Sequence, residues 1–254
     1  MSVLDRFSLK GKVAIITGSS TGLGQGMSIA LAEAGASIIG VDYVDSPETK
    51  ATIEKAGGKF HGLVANLMTI EPLQGIVDEA VKVYGKLDIL INNAGIIRRN
   101  DIIDFTEKDW DDVLNINLKT VFFFSQAAAR QYIKQGTGGK IINIASMLSF
   151  QGGVRVVSYA ASKSGVAGIT RSMANEWAKH NININAIAPG YMATNNTAQL
   201  RADADRSEAI LARIPAGRWG LPDDLMGPAI FLASPASDYL NGYTVAVDGG
   251  WLAR

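Results

Sequence analysis

Tyr159 and Lys163 stand four residues apart, so on a helix their side chains share one face. A free phenol has a pKa near ~10 and is a poor base at neutral pH. A fixed ammonium beside it favours the phenolate and pulls that pKa down. A drop of roughly three units corresponds to about 4 kcal/mol of extra phenolate stabilisation. A tyrosine so tuned takes a proton from an alcohol or returns one to a carbonyl. Ser146, thirteen residues before Tyr159, can offer a hydroxyl to hold the substrate oxygen. A Tyr and a Lys at this spacing are also common on ordinary helix surfaces, so the pair needs a scaffold that makes it a site.

That scaffold is legible as alternating strands and helices. Lys12–Thr17 is a short β-branched run and reads as a buried strand; Ser37–Val41, Phe60–Ala65, Leu87–Ile91, Lys140–Ala145, Ile182–Ala188 and Tyr243–Val247 read likewise. Between them, helices are expected over Gln25–Ala34, from Pro47 to the Gly57-Gly58 pair, and over Glu71–Tyr84, Thr106–Gln135, Ser158–Lys179 and Pro222–Leu232. Ser46 before Pro47 reads as an N-cap, with Pro at the first helical position. Pro189-Gly190 opens a stretch expected to be irregular as far as about Pro215. This order implies right-handed βαβ units: an α/β, Rossmann-like, doubly wound parallel sheet in three layers, one domain spanning 1–254. Ligands of such a sheet bind beyond the carboxyl ends of the strands. Ser146 and the Tyr159/Lys163 pair fall there.

Thr17-Gly18-Ser19-Ser20-Thr21-Gly22-Leu23-Gly24 fills the turn between the first strand and the first helix. Its glycines permit a tight turn and let backbone N–H groups approach a pyrophosphate at the helix N-terminus. Asp42, at the end of the second strand, is placed to accept hydrogen bonds from a ribose 2′-OH and to repel a 2′-phosphate. No basic residue lies between Asp42 and Lys50. The expected cofactor is therefore NAD in preference to NADP. Asn92-Asn93-Ala94-Gly95 follows the fourth strand; taken alone it is equally an Asn-rich turn.

The chain has 254 residues, 47% hydrophobic and 19% charged, with formal net charge +0. That suits one large core and gives no electrostatic case for nucleic acid or an anionic membrane. With no cysteine there is no disulfide and no thiolate metal site or nucleophile; no metal is expected. Met1–Lys10 lacks an apolar run of the secretory kind and no stretch reaches membrane-spanning length, so a cytoplasmic protein is expected. His61 and His180 read as bystanders.

Together, the Thr17–Gly24 turn, Asn92–Gly95, Ser146, Tyr159-x-x-x-Lys163, and Pro189-Gly190 with Thr194 resemble the short-chain dehydrogenase/reductase family along essentially the whole chain. The resemblance implies that Tyr159 is the acid/base and that Ser146 positions the substrate oxygen. It implies that Lys163 holds the nicotinamide ribose while lowering the Tyr159 pKa. Asn117 fits the asparagine that supports a proton-relay water better than Asn115 does. The implied cofactor contacts are Gly18, Ser20, Thr21, Gly22, Leu23, Gly24, Asp42, Asn66, Leu67, Asn93, Ala94, Gly95, Tyr159, Lys163, Pro189, Gly190, Met192 and Thr194. Asn66 departs from the family's frequent aspartate at the adenine.

Further stretches, among them Gly95–Arg99, Ala145–Gly153, Ala188–Thr197 and Val247–Arg254, resemble family members acting on sugar acids in uronate breakdown. A homotetramer is implied. The alternatives are a polyol or 3-oxoacyl substrate, or a non-catalytic NAD sensor, which would not need Ser146, Tyr159 and Lys163 together. A sugar acid needs a cation, and the planar fork of Arg holds a carboxylate bidentately. Arg155 is the first choice, since its loop precedes the catalytic helix; Arg98, Arg99 and Arg254 are the others.

Overall fold

The computed structural model describes residues 2–254. Seven parallel strands form one sheet in the order β3-β2-β1-β4-β5-β6-β7. They are β1 Val13–Thr17, β2 Ser37–Asp42, β3 Lys59–Val64, β4 Ile89–Asn92, β5 Gly139–Ile144, β6 Ile182–Pro189 and β7 Thr244–Val247. The helices are α1 Gly22–Glu33, α2 Pro47–Lys55, α3 Leu73–Tyr84, α4 Glu107–Leu114, α5 Thr120–Gln135, α6 Val157–Trp177, α7 Ala198–Ala202, α8 Ala204–Arg213 and α9 Met226–Ala233.

All five residues of β1 are buried, because the sheet is covered on both faces. Successive strand residues point to opposite faces. Ile15, Ile39, Leu90, Ile141 and Ile184 therefore join α3, α5 and α6 in one core, through Val77, Phe124, Tyr132 and Met173. Ala14, Ile16, Ile38, Ile91, Ile142 and Ile187 join α1 and α9 in the other, through Met27, Leu31 and Leu232. This is the expected three-layer, doubly wound, single-domain α/β architecture. Strand order reverses between β1 and β4, and the crevice at that switch point is where such sheets take nucleotides.

Three local expectations are corrected. The helix expected over Thr106–Gln135 is two helices joined by a π-helical turn at Asn115–Lys119; the buried Asn117 side chain bonds outside the helix here, and such π turns gather at functional positions. The stretch expected to be irregular holds α7 and α8. Ser46 makes no cap. Its buried hydroxyl lies 3.3 Å from that of Ser19 instead, tying α2 to the glycine-rich turn.

Candidate active site

The turn after β1 is shaped by close approaches that only glycine permits. Gly18 and Gly22 adopt φ of 69° and 58°, a region that costs glycine nothing. A side chain at Gly24 would collide with the Gly18 carbonyl oxygen. Asn93 fixes the turn from β4, donating its side-chain N–H to the Thr17 carbonyl at 2.8 Å. The Thr17 hydroxyl accepts the amides of Asn93 and Ala94, each at 2.9 Å.

A cavity of about 250 Å³ opens between this turn and the catalytic pair. It is lined by Gly18, Ser20, Thr21, Gly22 and Leu23 of the turn and by Asn93, Ala94 and Gly95 after β4. Asp42 closes one end, Tyr159 and Lys163 the other, with Thr194 above. Asp42 accepts the Ser20 amide at 2.9 Å and its own neighbour Tyr43 at 2.6 Å, so its carboxylate is held at the rim. A bare backbone cradle at the start of α1, beside a fixed carboxylate, fits a dinucleotide.

Lys163 is buried, and its Nζ donates to the Ile144 carbonyl at 2.6 Å. Burial pulls its pKa down to about 8. The same Nζ lies 5.5 Å from the centre of the Tyr159 ring. Ser146 accepts the Leu148 amide at 3.1 Å. That leaves its O–H to act as a donor, and the side chain bears on the Tyr159 phenol. Burial pushes the Tyr159 phenol up from its ordinary value; the Ser146 side chain and the Arg99 charge act to pull it down.

Ser149 was not anticipated. Its hydroxyl donates to the Lys163 carbonyl at 2.6 Å and accepts the Ser146 amide at 3.3 Å, locking the serine turn to α6. Its position inside a Ser-rich turn gave no separate signal. Ile144, Asn195 and Asn196 also line the cavity. Ile144 ends β5, so the strand-end rule could have found it; the two asparagines simply follow Thr194.

Several residues expected at the site do not line this cavity. Asn117 is fully buried; it accepts the Ile96 amide at 2.9 Å and donates to the Ile96 carbonyl at 2.9 Å and Ser162 Oγ at 3.3 Å. It braces the loop after Gly95 from behind. Asn66 accepts the Met68 amide at 3.0 Å, and the buried Leu67 gives its carbonyl to Thr120; neither lines the cavity. Pro189 and Gly190 continue β6, with the Gly190 amide on the Val247 carbonyl at 3.0 Å. Met192 lines a separate pocket with Tyr191 and Gly220.

The four arginines also separate. Arg155 has φ of 64° and pairs with Asp101 at 3.0 Å on an exposed loop. Arg98 pairs with Asp109 and Asp112 on α4 at 3.5 and 3.2 Å. Arg254 donates to the Ala212 carbonyl. Arg99 alone bears electrostatically on Tyr159, and its guanidinium donates to the Asn196 carbonyl at 3.0 Å.

Fold and site together define a nicotinamide-dependent oxidoreductase. The short chain dehydrogenase family matches residues 12–205, and the chain belongs to that family. It is 68% identical to a 2-dehydro-3-deoxy-D-gluconate 5-dehydrogenase of Dickeya dadantii, across 99% of this chain and 100% of that one. A protein of the same name from Escherichia coli is 66% identical over the same shares. A solved candidate 2-deoxy-D-gluconate 3-dehydrogenase from Agrobacterium tumefaciens, with NADP bound, superposes with a TM-score of 0.92 at 52% identity, covering 98% of this chain and 99% of that one.

Proposed function

We propose that this chain is a sugar-acid oxidoreductase that prefers NAD to NADP. It interconverts 2-dehydro-3-deoxy-D-gluconate and its 2,5-diketo acid, or 2-deoxy-D-gluconate and its 3-keto acid, in uronate catabolism of the pectin or alginate type. The observation that carries this reading is the convergence of Tyr159 and Lys163 on the glycine-lined cavity, with Ser146 bearing on Tyr159, in a chain so similar to proteins named for that sugar acid.

A nicotinamide held in the cavity would supply the hydride chemistry, its oxidised form accepting a hydride from the substrate carbon and its reduced form delivering one to it. The chain's own groups handle the oxygen. The Ser146 hydroxyl holds it, and the Tyr159 phenol takes or gives its proton. Lys163 supplies positive charge beside the ring and donors to a ribose, and Asn117 keeps the Asn93–Gly95 wall in place. Gly18 to Gly24 hold the pyrophosphate, and Asp42 accepts the adenine-side ribose hydroxyls. Arg99 holds the substrate carboxylate: it is the arginine nearest in effect to Tyr159, whereas Arg98 and Arg155 are neutralised by aspartates.

The preference for NAD rests on Asp42, whose charge repels a 2′-phosphate, and it is proposed against a relative that carries NADP. Residues 1–254 act as one domain, in a homotetramer in the cytoplasm, to be checked by light scattering and fractionation. Absorbance of reduced nicotinamide, followed with each cofactor on these sugar acids, gluconate and a polyol, tests the reading. Turnover confined to the polyol would overturn it. Asp42→Ala should weaken NAD and relieve the exclusion of NADP; equal efficiency of the wild type with both cofactors contradicts the preference.

A further inference from the structure

The turn that carries Ser146 is anchored twice to one residue of α6. Before it, the Ile144 carbonyl accepts Lys163 Nζ at 2.6 Å. After it, the Ser149 hydroxyl donates to the Lys163 carbonyl, also at 2.6 Å. Ser146 lies between these anchors, and Tyr159 lies about one helical turn before Lys163 on α6. The spacing between the Ser146 hydroxyl and the Tyr159 phenol therefore runs through Lys163 and its two bonds to the turn.

The two anchors are not equivalent. The Lys163 ammonium reaches the Ile144 carbonyl, short of Ser146 itself, and it is the group proposed to serve a ribose. Ser149 touches both sides directly. A hydroxyl has one proton and two lone pairs; Ser149 gives its proton to the Lys163 carbonyl and a lone pair to the Ser146 amide at 3.3 Å. The rest of the turn follows Ser146. The Ser146 backbone is extended, with φ of −165° and ψ of 161°; its carbonyl accepts the Ser149 amide at 2.9 Å, and its hydroxyl accepts the Leu148 amide at 3.1 Å. Ser164 Oγ also donates from α6 to the Leu148 carbonyl, but at 3.4 Å, long for an O–H donor. The short Ser149 bond is therefore the firm tie between this turn and the catalytic helix.

We propose that Ser149 is a positioning residue for the reaction: by pinning the Ser146 turn to Lys163 it fixes where the Ser146 hydroxyl stands relative to the Tyr159 phenol. It takes no proton itself and acts through Ser146. This rests on the roles given to Ser146 and Tyr159 in the proposed function. Displacing a reacting group by about 1 Å can cost on the order of 10²-fold in rate, so the loss of one such tie is measurable.

The test compares steady-state turnover and NADH affinity of the full chain as wild type, Ser149→Ala, Ser149→Thr, Ser146→Ala and the double variant of Ser146→Ala with Ser149→Ala. Ser149→Ala should lower kcat by about tenfold, with KM and NADH affinity within about twofold. Ser149→Thr keeps the hydroxyl and should recover most of the loss. In the Ser146→Ala background, removing the Ser149 hydroxyl should cost less than about twofold more, because a residue acting through Ser146 has nothing left to position. If Ser149→Ala does not fold, Ser149→Cys, whose thiol bonds weakly, takes its place in both backgrounds. The proposal is overturned by a near-wild-type kcat in Ser149→Ala, by the same tenfold loss in the Ser146→Ala background, or by a matching fall in NADH affinity, which would place the effect on Lys163. The wild type is first run on the sugar acids, gluconate and a polyol, and the variants are compared on whichever is turned over. Turnover of the polyol alone would thus overturn the substrate assignment, while the kcat comparison still decides the role of Ser149.

Discussion

The groups proposed to act on the substrate oxygen and the segment from Asn195 to Arg213 are built in opposite ways. Ser146 and Lys163 are buried and bonded to the backbone of β5 or its following turn, and Asn117 behind them is fully enclosed. The flank from Asn195 to Arg213 is mostly exposed. No residue of α7 is buried and only Ile210 of α8 is. Side-chain tethers hold that flank: Arg99 to the Asn196 carbonyl, Arg201 to the Thr194 carbonyl, Arg254 to the Ala212 carbonyl, and Arg213 stacked 4.0 Å over Trp251. Proton transfer needs positions fixed to fractions of an ångström, and strand ends over a packed core supply them. Substrate choice needs a surface that can be altered without disturbing the core, and a loosely tethered flank supplies that.

The largest expected effect comes from the rigid region. Tyr159→Phe removes the proton-transferring oxygen and keeps the ring. Turnover should fall by at least about 10²-fold with NADH still bound, as fluorescence titration would report. Near-normal turnover would move the acid/base elsewhere and dissolve the contrast.

The burial of Lys163 has a signature in stability. Its pKa in the folded chain is about 8, below the ordinary 10.5. Between those values the unfolded chain holds a proton that the folded chain has released, so stability rises with pH across that window. Below about pH 8 both states are protonated and the burial penalty is constant. Relative to Lys163→Met, the cofactor-free wild type should therefore gain on the order of 2–3 kcal/mol from pH 8 to 10.5. Parallel denaturation midpoints for the two proteins across that range would show the ammonium to be solvated.

The same contrast decides what could be read from the sequence. β1, β2, β4, β5 and β6 are legible because buried strands are continuous apolar runs, and the glycine turn, Asp42, Ser146, Tyr159 and Lys163 follow from their ends. α8 was not read as a helix: its short amphipathic pattern buries Ile210 alone and lies inside a stretch that Pro189-Gly190 opens and that reads as a loop. The π turn at Asn115–Lys119 was hidden for a different reason. The apolar pattern runs through it, and the pairing of Asn117 with the Ile96 backbone, 21 residues away, is not encoded in local spacing. Arg155 illustrates the limit for charged residues. Position in the catalytic loop favoured it, but its partner Asp101 sits on a loop whose approach no sequence spacing encodes.

Arg99 joins the two regions, since it bears on Tyr159 and is bonded to Asn196. Arg99→Met should lower kcat/KM for the sugar acid by about ten- to a hundred-fold, the loss of one charge-assisted contact. An uncharged analogue should lose far less. An equal fall on both would make Arg99 a brace for the flank and leave the carboxylate to another cation.

The smallest effect is expected where the flank meets the C-terminal residues. Arg254 donates to the Ala212 carbonyl at 2.8 Å, in the last turn of α8. A cation there satisfies an orphan carbonyl and complements the helix dipole, for about 0.3–1 kcal/mol. Arg254→Ala removes that and no buried packing. Loosening the flank weakens its grip on substrate before chemistry begins, so KM for the sugar acid should rise by less than about fivefold. The kcat should stay put, because Ser146, Tyr159 and Lys163 are held by β5 and α6 and not by α8. A fall in kcat at constant KM would mean that the flank helps to position the catalytic groups, and the division between a rigid chemical region and a tethered selective one would fail.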